Sequence, residues 1–322
     1  MKDPMSLKEM STYQGAFPTP PDFHEFWQKQ LANLTVPDYQ LISRDFKIPG
    51  VDCYELTFNG TRYGQVYAKC IFPEGSQPVP VIFYFHGYMG QSPDWATLLS
   101  LAAGGAGVVA MDVRGQAGKS LDRATFDGVT VKGQVIRGAL QGPDKLFFKD
   151  IYLDVYSLIE IVARFSRVDN TKFTSYGGSQ GGALALVAAA LNHRLTQAIS
   201  IYPFLGDFKR VLTLGDHSEA YNELFRYFKF SDPFHQTEDQ VMQTLAYIDL
   251  KNMAQLIKCP VKMITGLEDD VCFPSTQFAI YNQITSAKEH LLLPEYGHED
   301  MHVAVNDQVF NWLFKTKIEV AK

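Results

Sequence analysis

Cysteine is scarce in this chain. Cys53, Cys70, Cys259 and Cys272 are scattered, form no Cys-x-x-Cys pair and sit mostly inside apolar runs. Four such residues in 322 exclude a disulfide framework and are expected to be reduced, buried thiols. Long apolar runs are missing too: none approaches the length of a membrane-spanning helix. The opening Met1-Lys2-Asp3-Pro4-Met5 leads into polar sequence and not into an apolar signal core, so a cytoplasmic protein with no membrane partner is expected. Basic charge is not in excess. Lys and Arg number 29 against 35 Asp and Glu, and the resulting net charge of −6 argues against nucleic acid or an anionic membrane as a main partner. There are no internal repeats and no low-complexity segments. What remains is an ordinary globular composition, 46% hydrophobic and 20% charged, with chain enough to bury a large core.

Residues 1–48 read as an N-terminal arm. Pro18, Pro20 and Pro21 break any early helix, and Asp22 can cap a short one carrying Phe23, Phe26 and Trp27. Strand-like runs over 52–58 and 64–72, separated by Asn59-Gly60, predict a hairpin at the antiparallel edge of a larger sheet. From Pro78 the texture changes. Val79 to Phe85 and Gly107 to Met111 are continuous apolar runs, the sign of strands buried on both faces. A polar, glycine-rich loop over 114–144 is too long for a mere connection and is expected to be functional or to build an interface. Lys149 to Phe165 has helical spacing, 172–176 is a short strand, and 182–191 is an alanine-rich helix. After a strand at 198–202, residues 204–250 read as a helical insertion rich in Phe and Tyr. Strands at 261–265 and 290–293 and a terminal helix complete the chain. This alternation predicts one α/β domain over 1–322, a mostly parallel central sheet with helices on both faces. Its site should lie beyond the C-terminal ends of the strands.

One stretch at such an end is chemically loaded: Gly177-Gly178-Ser179-Gln180-Gly181, a Gly-x-Ser-x-Gly pattern. A serine at the tip of a sharp strand-to-helix turn needs a strained backbone, and small neighbours leave its Oγ exposed. Its hydroxyl is a poor nucleophile until a base takes the proton and an acid orients that base. The expected chain order is serine, acid, histidine, each after a later strand. Of the eight histidines, His298 follows strand 290–293 directly through Pro294-Glu295-Tyr296-Gly297 and is the candidate base. The acid should follow strand 261–265, where Glu268, Asp269 and Asp270 are consecutive and spacing does not choose among them. Two backbone N–H groups should meet the developing oxyanion. One belongs to Gln180 and the other to Tyr88, in the loop His86-Gly87-Tyr88 after the strand ending at Phe85.

A rival reading sits on the same histidine. His298-Glu299-Asp300-Met301-His302 is a literal His-Glu-x-x-His, the pattern of zinc proteases. That chemistry needs both histidines on one helical face and a third ligand downstream. Here the pattern starts straight after a strand and a glycine turn, and beyond Asp307 only Glu319 offers a carboxylate. No metal is therefore expected.

Taken together, Arg114-Gly115-Gln116, the Gly-Gly-Ser-Gln-Gly turn and His298-Glu299 resemble, in order, the three signatures of the acetyl xylan esterase and cephalosporin C deacetylase family of α/β-hydrolases. The likeness extends to His86-Gly87-Tyr88, to Tyr202-Pro203-Phe204-Leu205 and to Pro274-Ser275-Thr276, and so covers nearly the whole chain. It implies that Asp269 is the acid, in the family's Gly-Leu-x-Asp, and that Tyr88 and Gln180 are the oxyanion donors. Arg114, Gln116 and Glu299 read as structural braces near the site. One departure is Phe273 before Pro274, where the family usually has a second proline; it puts the shape of the acyl pocket in question. The resemblance also implies a homo-hexamer with sites facing an internal cavity, which would admit small esters and not polymers.

The expected function is then a cofactor-free serine esterase acting on acetylated xylo-oligosaccharides, other acetyl sugars and cephalosporin C, with Tyr88, Tyr202, Pro203 and Phe204 shaping a small acyl pocket. A serine peptidase of the same fold usually carries an extra domain or groups that capture a peptide terminus, and neither is evident. A silent α/β-hydrolase used for binding would normally have lost one of the three catalytic side chains.

Overall fold

The computed structural model describes residues 3–46, 48–126, 133–215 and 219–315. Its frame is a nine-stranded sheet of β1 (Tyr39–Arg44), β2 (Val51–Asn59), β3 (Gln65–Pro73), β4 (Val79–Phe85), β5 (Gly107–Asp112), β6 (Val168–Gly178), β7 (Leu195–Ile201), β8 (Val261–Gly266) and β9 (Lys288–Leu293). The spatial order is β1-β2-β3-β5-β4-β6-β7-β8-β9. β2 is antiparallel to both β1 and β3, and β3 is antiparallel to β5. From β5 through β4 to β9 every pairing is parallel. The sheet is thus mostly parallel, as the alternation of strands and helices required.

Between and around the strands lie α1 (Leu7–Met10), α2 (Phe23–Ala32), α3 (Trp95–Ala102), α4 (Phe147–Val162), α5 (Gln180–Leu191), α6 (Phe208–Leu214), α7 (Asn222–Arg226), α8 (Glu238–Leu245), α9 (Leu250–Met253), α10 (Pro274–Gln283) and α11 (Ala304–Phe314). Neighbouring strand residues enter different cores. On β7, Ala198 joins the large cluster with α4 and α5, whereas Ile199 joins Val309 and Trp312 of α11. On β5, Val109 faces the large cluster and Val108 meets Leu98 and Ala102 of α3. Both faces are therefore covered, which is why these strands are apolar without alternation. All of α5 is buried. Its glycines and alanines let it press onto β6 and β7, where the Ser175 and Ser200 hydroxyls donate to the carbonyls of Ala185 and Gly182.

Two expectations need correction. The sheet edge is β1, which lies inside the segment read as an arm; all six of its residues are exposed, so no alternation or apolar run marked it. The turn between β2 and β3 is not a two-residue Asn-Gly reversal. The ladder closes at Asn59 opposite Gln65, and Thr61–Tyr63 make a short 3-10 turn with Arg62 and Tyr63 at φ of 48° and 63°. Arg62 can hold that backbone because its guanidinium is tied to the Asp150 carboxylate and the Lys145 carbonyl.

Ahead of β1 the arm is fastened to late parts of the chain. Asp3 is buried and accepts from the Ser275 N–H and from Arg210. Asp207 takes the Tyr13 hydroxyl and the Ala16 N–H, Asn282 donates to the Met10 and Tyr13 carbonyls, and Lys251 Nζ donates to the Phe17 carbonyl. After β7 the described part of 204–250 is helical, carrying α6, α7 and α8. Residues 127–132 of the long loop and 216–218 of the insertion lie outside the described residues, as do His217 and Glu319. The four cysteines are buried and unpaired. Among the described residues no helix is long and apolar enough to cross a membrane.

Candidate active site

The turn from β6 into α5 forces the serine into a rare backbone conformation. Ser179 has φ 56° and ψ −121°, of the kind that costs roughly 1–3 kcal/mol and persists only where the surroundings over-determine it. They do so here. The Ser179 N–H donates to Ile201 O at 3.0 Å, and its carbonyl accepts from Phe204 N–H at 3.1 Å and Ala183 N–H at 3.0 Å. The flanking glycines are needed for close approach. A Cβ on Gly177 would lie 2.5 Å from the Phe85 carbonyl oxygen, and one on Gly181 only 1.9 Å from the same oxygen.

Beyond β9, His298 reaches back to this serine. Its Nε2 is 3.0 Å from Ser179 Oγ, and its Nδ1 is 2.9 Å from Asp269 Oδ2. Asp269 follows β8 and is fully buried, whereas Glu268 and Asp270 are only partly buried. Of the three consecutive carboxylates, the fold turns Asp269 to the histidine. Its Oδ1 accepts the N–H groups of Val271 and Cys272 at 2.9 and 2.8 Å, and Oδ2 also accepts from Gln277 Nε2 at 3.2 Å. Those donors fix the carboxylate, the carboxylate makes Nδ1 the protonated nitrogen, and Nε2 is left as the acceptor for the serine proton. Tyr202, with its ring centroid 4.5 Å from that of His298, closes one side of the imidazole. Glu299 accepts the Gly297 N–H at 2.7 Å and so braces the turn that presents His298.

The His-Glu-x-x-His segment is not helical, since α11 begins only at Ala304. His298 and His302 therefore do not share a helical face. Among the described residues no group of His, Cys, Asp and Glu is placed to hold a metal ion.

The loop after β4 carries His86, Gly87 and Tyr88. His86 is buried and neutral by construction: Nδ1–H donates to Gly87 O at 2.8 Å while Nε2 accepts the Val113 N–H at 2.9 Å. Burial also lowers its pKa. Tyr88 follows and lines the same cavity as Ser179 and His298. Gln180 is the first residue of α5, where an N–H has no partner within the helix. Its side chain is buried and forms a reciprocal amide pair with Gln116: Gln116 Nε2 donates to Gln180 Oε1 at 2.7 Å, and Gln180 Nε2 donates to Gln116 Oε1 at 3.0 Å. Arg114 does different work. It is buried, grips Asp154 with two nitrogens at 2.6 and 2.5 Å, and donates to Thr61 O at 2.7 Å, joining α4 to the β2–β3 turn. Burial pushes the Asp154 carboxyl up to about 6, with Arg114 opposing the rise.

A cavity of about 840 Å³ opens above Ser179. Tyr88, Tyr202, Glu223, Val271, His298 and Asp300 are among its lining. Two residues expected there stand behind it. Pro203 and Phe204 are buried and outside the lining, because the Phe204 N–H is spent on Ser179 O and its ring packs on Tyr88 at 5.1 Å. Phe273 is also buried and off the lining; it caps α10, and its carbonyl accepts from Thr276 and Gln277. Two neighbours of the site had no signal in the sequence. The Cys272 thiol lies against the Ser179 hydroxyl, and burial followed by the charge of Asp269 pushes its pKa well up, so it stays protonated and inert. Glu223, from α7, is buried beside Tyr88.

Chain order settles the class. A serine after one parallel strand, an acid after a later one and a histidine after the next, on a sheet covered on both faces, is the arrangement of the α/β-hydrolases. Within that class, the family model "Acetyl xylan esterase (AXE1)" matches residues 1–316, and the chain belongs to this family of carboxylic ester hydrolases. The solved acetyl xylan esterase 1 from Thermoanaerobacterium sp. JW/SL YS485 superposes with a TM-score of 0.93 at 40% identity, over 97% of this chain and 98% of that one. An acetyl xylan esterase from Paenibacillus sp. R4 does so with a TM-score of 0.90 at 33% identity, over 97% and 99%. Acetyl esterase Axe7A of Xylanibacter ruminicola is 27% identical over 288 residues, 87% of this chain; the match spans 63% of that relative's length.

Proposed function

We propose that the protein is a serine esterase that removes acetyl groups from small acetylated substrates: xylo-oligosaccharides, other acetyl sugars and cephalosporin C. The observation that carries this reading is the continuous line of hydrogen bonds from Asp269 through His298 to Ser179. In the proposed reaction Ser179 Oγ attacks the acetyl carbonyl as its proton passes to His298 Nε2. The carbonyl oxygen, now anionic, rests on the N–H groups of Tyr88 and Gln180. Collapse of this intermediate breaks the ester C–O bond, and the Nε2 proton goes to the departing alcohol. Water then attacks the acetyl-enzyme, giving its proton to Nε2, and acetic acid leaves as Ser179 recovers its hydrogen.

An acetyl group fills only a small part of about 840 Å³, and the remainder suits the sugar of a short oligosaccharide. The homo-hexamer implied by the family resemblance belongs to the same proposal, and mass in solution by light scattering decides it. For the chemistry, the test is acetate release from acetylated xylo-oligosaccharides by the parent protein and by Ser179→Ala. The variant is expected to lose roughly four to six orders of magnitude in turnover. Retention of activity within about tenfold would remove Ser179 from the mechanism.

A further inference from the structure

The two oxyanion donors come from distant parts of the chain: Tyr88 from the loop after β4 and Gln180 from the start of α5. An oxyanion hole works only if both N–H groups hold their aim to within a fraction of an ångström. Gln180 is held by α5 and by its amide pair with Gln116. Tyr88 lies on a loop whose next residue, Met89, has a φ of 59°. Its direction therefore depends on where its side chain is anchored. The ring packs on Phe204 at 5.1 Å and on Phe148 at 6.2 Å, and the hydroxyl donates to Glu223 Oε1 at 2.8 Å.

That single carboxylate oxygen collects more. It accepts the Val135 N–H at 2.7 Å and the Gln134 N–H at 2.9 Å, and the Gln134 N–H is also 2.8 Å from the Tyr88 oxygen. Gln134 carries the connection onward. Its Oε1 accepts from Gln116 Nε2 at 3.0 Å, and its Nε2 donates to Gly115 O at 2.6 Å. Gln116 then meets Gln180. An unbroken series of hydrogen bonds thus runs Tyr88–Glu223–Gln134–Gln116–Gln180, from one donor residue to the other.

We infer that Glu223 is a positioning residue for this reaction: with Gln134 it locks the Tyr88 donor in register with the Gln180 donor. The inference rests on the esterase reading of Ser179. It gives the helical insertion a task, because α7 supplies the residue that joins two loops of the site. Glu223 is buried, which pushes its carboxyl pKa up, while the three donors that converge on it oppose the rise. Removing the carboxylate takes the acceptor from the Tyr88 hydroxyl and the Val135 N–H and leaves the Gln134 N–H with the Tyr88 oxygen alone.

The test is steady-state hydrolysis of 4-nitrophenyl acetate by the full chain, with kcat and KM separated, for Glu223→Ala, Glu223→Gln, Tyr88→Phe and the double variant Y88F/E223A. Glu223→Ala and Tyr88→Phe should each lower kcat about 10–100-fold with KM within about twofold, the pattern of a loss confined to the transition state. Glu223→Gln should stay within about threefold of the parent, since its carbonyl oxygen can accept the same donors. The double variant should fall no further than the weaker single variant, because both break one link. Affinity for a trifluoromethyl ketone, which forms a tetrahedral adduct with serine, should drop by the same factor as kcat/KM. If Glu223→Ala does not fold, Tyr88→Phe and the ketone carry the test. Losses that multiply in the double variant, a change in KM alone, or unchanged ketone affinity would overturn the inference. Normal parent activity with unaffected variants overturns it alone, whereas absence of Ser179-dependent hydrolysis in the parent overturns the esterase reading and this inference together.

Discussion

Replacing Asp269 by Asn exchanges one carboxylate oxygen for an NH2 group and should disable the site through a tautomer. The side chain keeps its volume, and the backbone dictates its orientation. Oδ1 receives the N–H groups of Val271 and Cys272, so the amide oxygen of an asparagine must occupy that position. The amide NH2 then takes the place of Oδ2, where it faces two donors, Gln277 Nε2 at 3.2 Å and His298 Nδ1 at 2.9 Å. His298 relieves the clash by moving its proton to Nε2. That nitrogen, 3.0 Å from Ser179 Oγ, now carries a hydrogen and has no lone pair for the serine proton. A base held in the wrong tautomer costs roughly ten-thousand-fold in kcat, or about 5 kcal/mol of transition-state stabilisation. Acetate release by Asp269→Asn should fall by about that factor with little change in fold, since the Val271 and Cys272 bonds survive. Glu268→Gln and Asp270→Asn in the same loop should stay within about threefold of the parent. Asp269→Asn retaining a tenth of the activity, or Asp270→Asn losing as much as Asp269→Asn, would refute the reasoning.

Two further outcomes follow from packing and protonation. Gly181→Ala should destabilise the fold by more than about 3 kcal/mol in urea unfolding, because its Cβ would meet the Phe85 carbonyl at 1.9 Å and both partners are backbone. His290 is stacked on Tyr281 and bonded to Thr265, and burial, helped by Lys288, lowers its pKa from 6.5 to about 4. Between those values the unfolded chain holds the proton and the folded one does not. Its contribution is therefore complete above pH 6.5 and is lost as pH falls to 4, by about 3 kcal/mol in all. Stability curves at pH 7 and pH 4 should differ less in His290→Gln than in the parent by about that amount, and an unchanged difference would show that His290 does not titrate there.

The sequence carried the order of the site well. The glycines around Ser179 and the placement of His298 directly after a buried strand are local facts, and both are legible without coordinates. Spacing did not choose among Glu268, Asp269 and Asp270; the family resemblance pointed to Asp269, and the physical reason, the N–H groups of Val271 and Cys272 that turn this carboxylate inward, appears only in the fold. Phe204 looked like a pocket residue by its nearness to the strand end, yet the backbone bond to Ser179 draws it one layer back. The edge strand β1 escaped because exposed residues on both sides leave no periodicity to read. Glu223 and Gln134 were invisible for another reason: their partners are up to 135 positions away, and only the folded chain brings them together.

The fastening of the arm has a temporal side. Residues 10–17 are made well before the groups that hold them, Asp207, Lys251 and Asn282; Asn282 and Tyr13 are 269 residues apart. At synthesis rates of about 5–20 residues per second the arm waits roughly 15–50 s for its last anchor. During that interval Trp27, buried in the finished protein, lacks the Tyr247 carbonyl that accepts its indole N–H. A segment made early is thus among the last to settle, and strands β1 to β8 are all made before its last anchor.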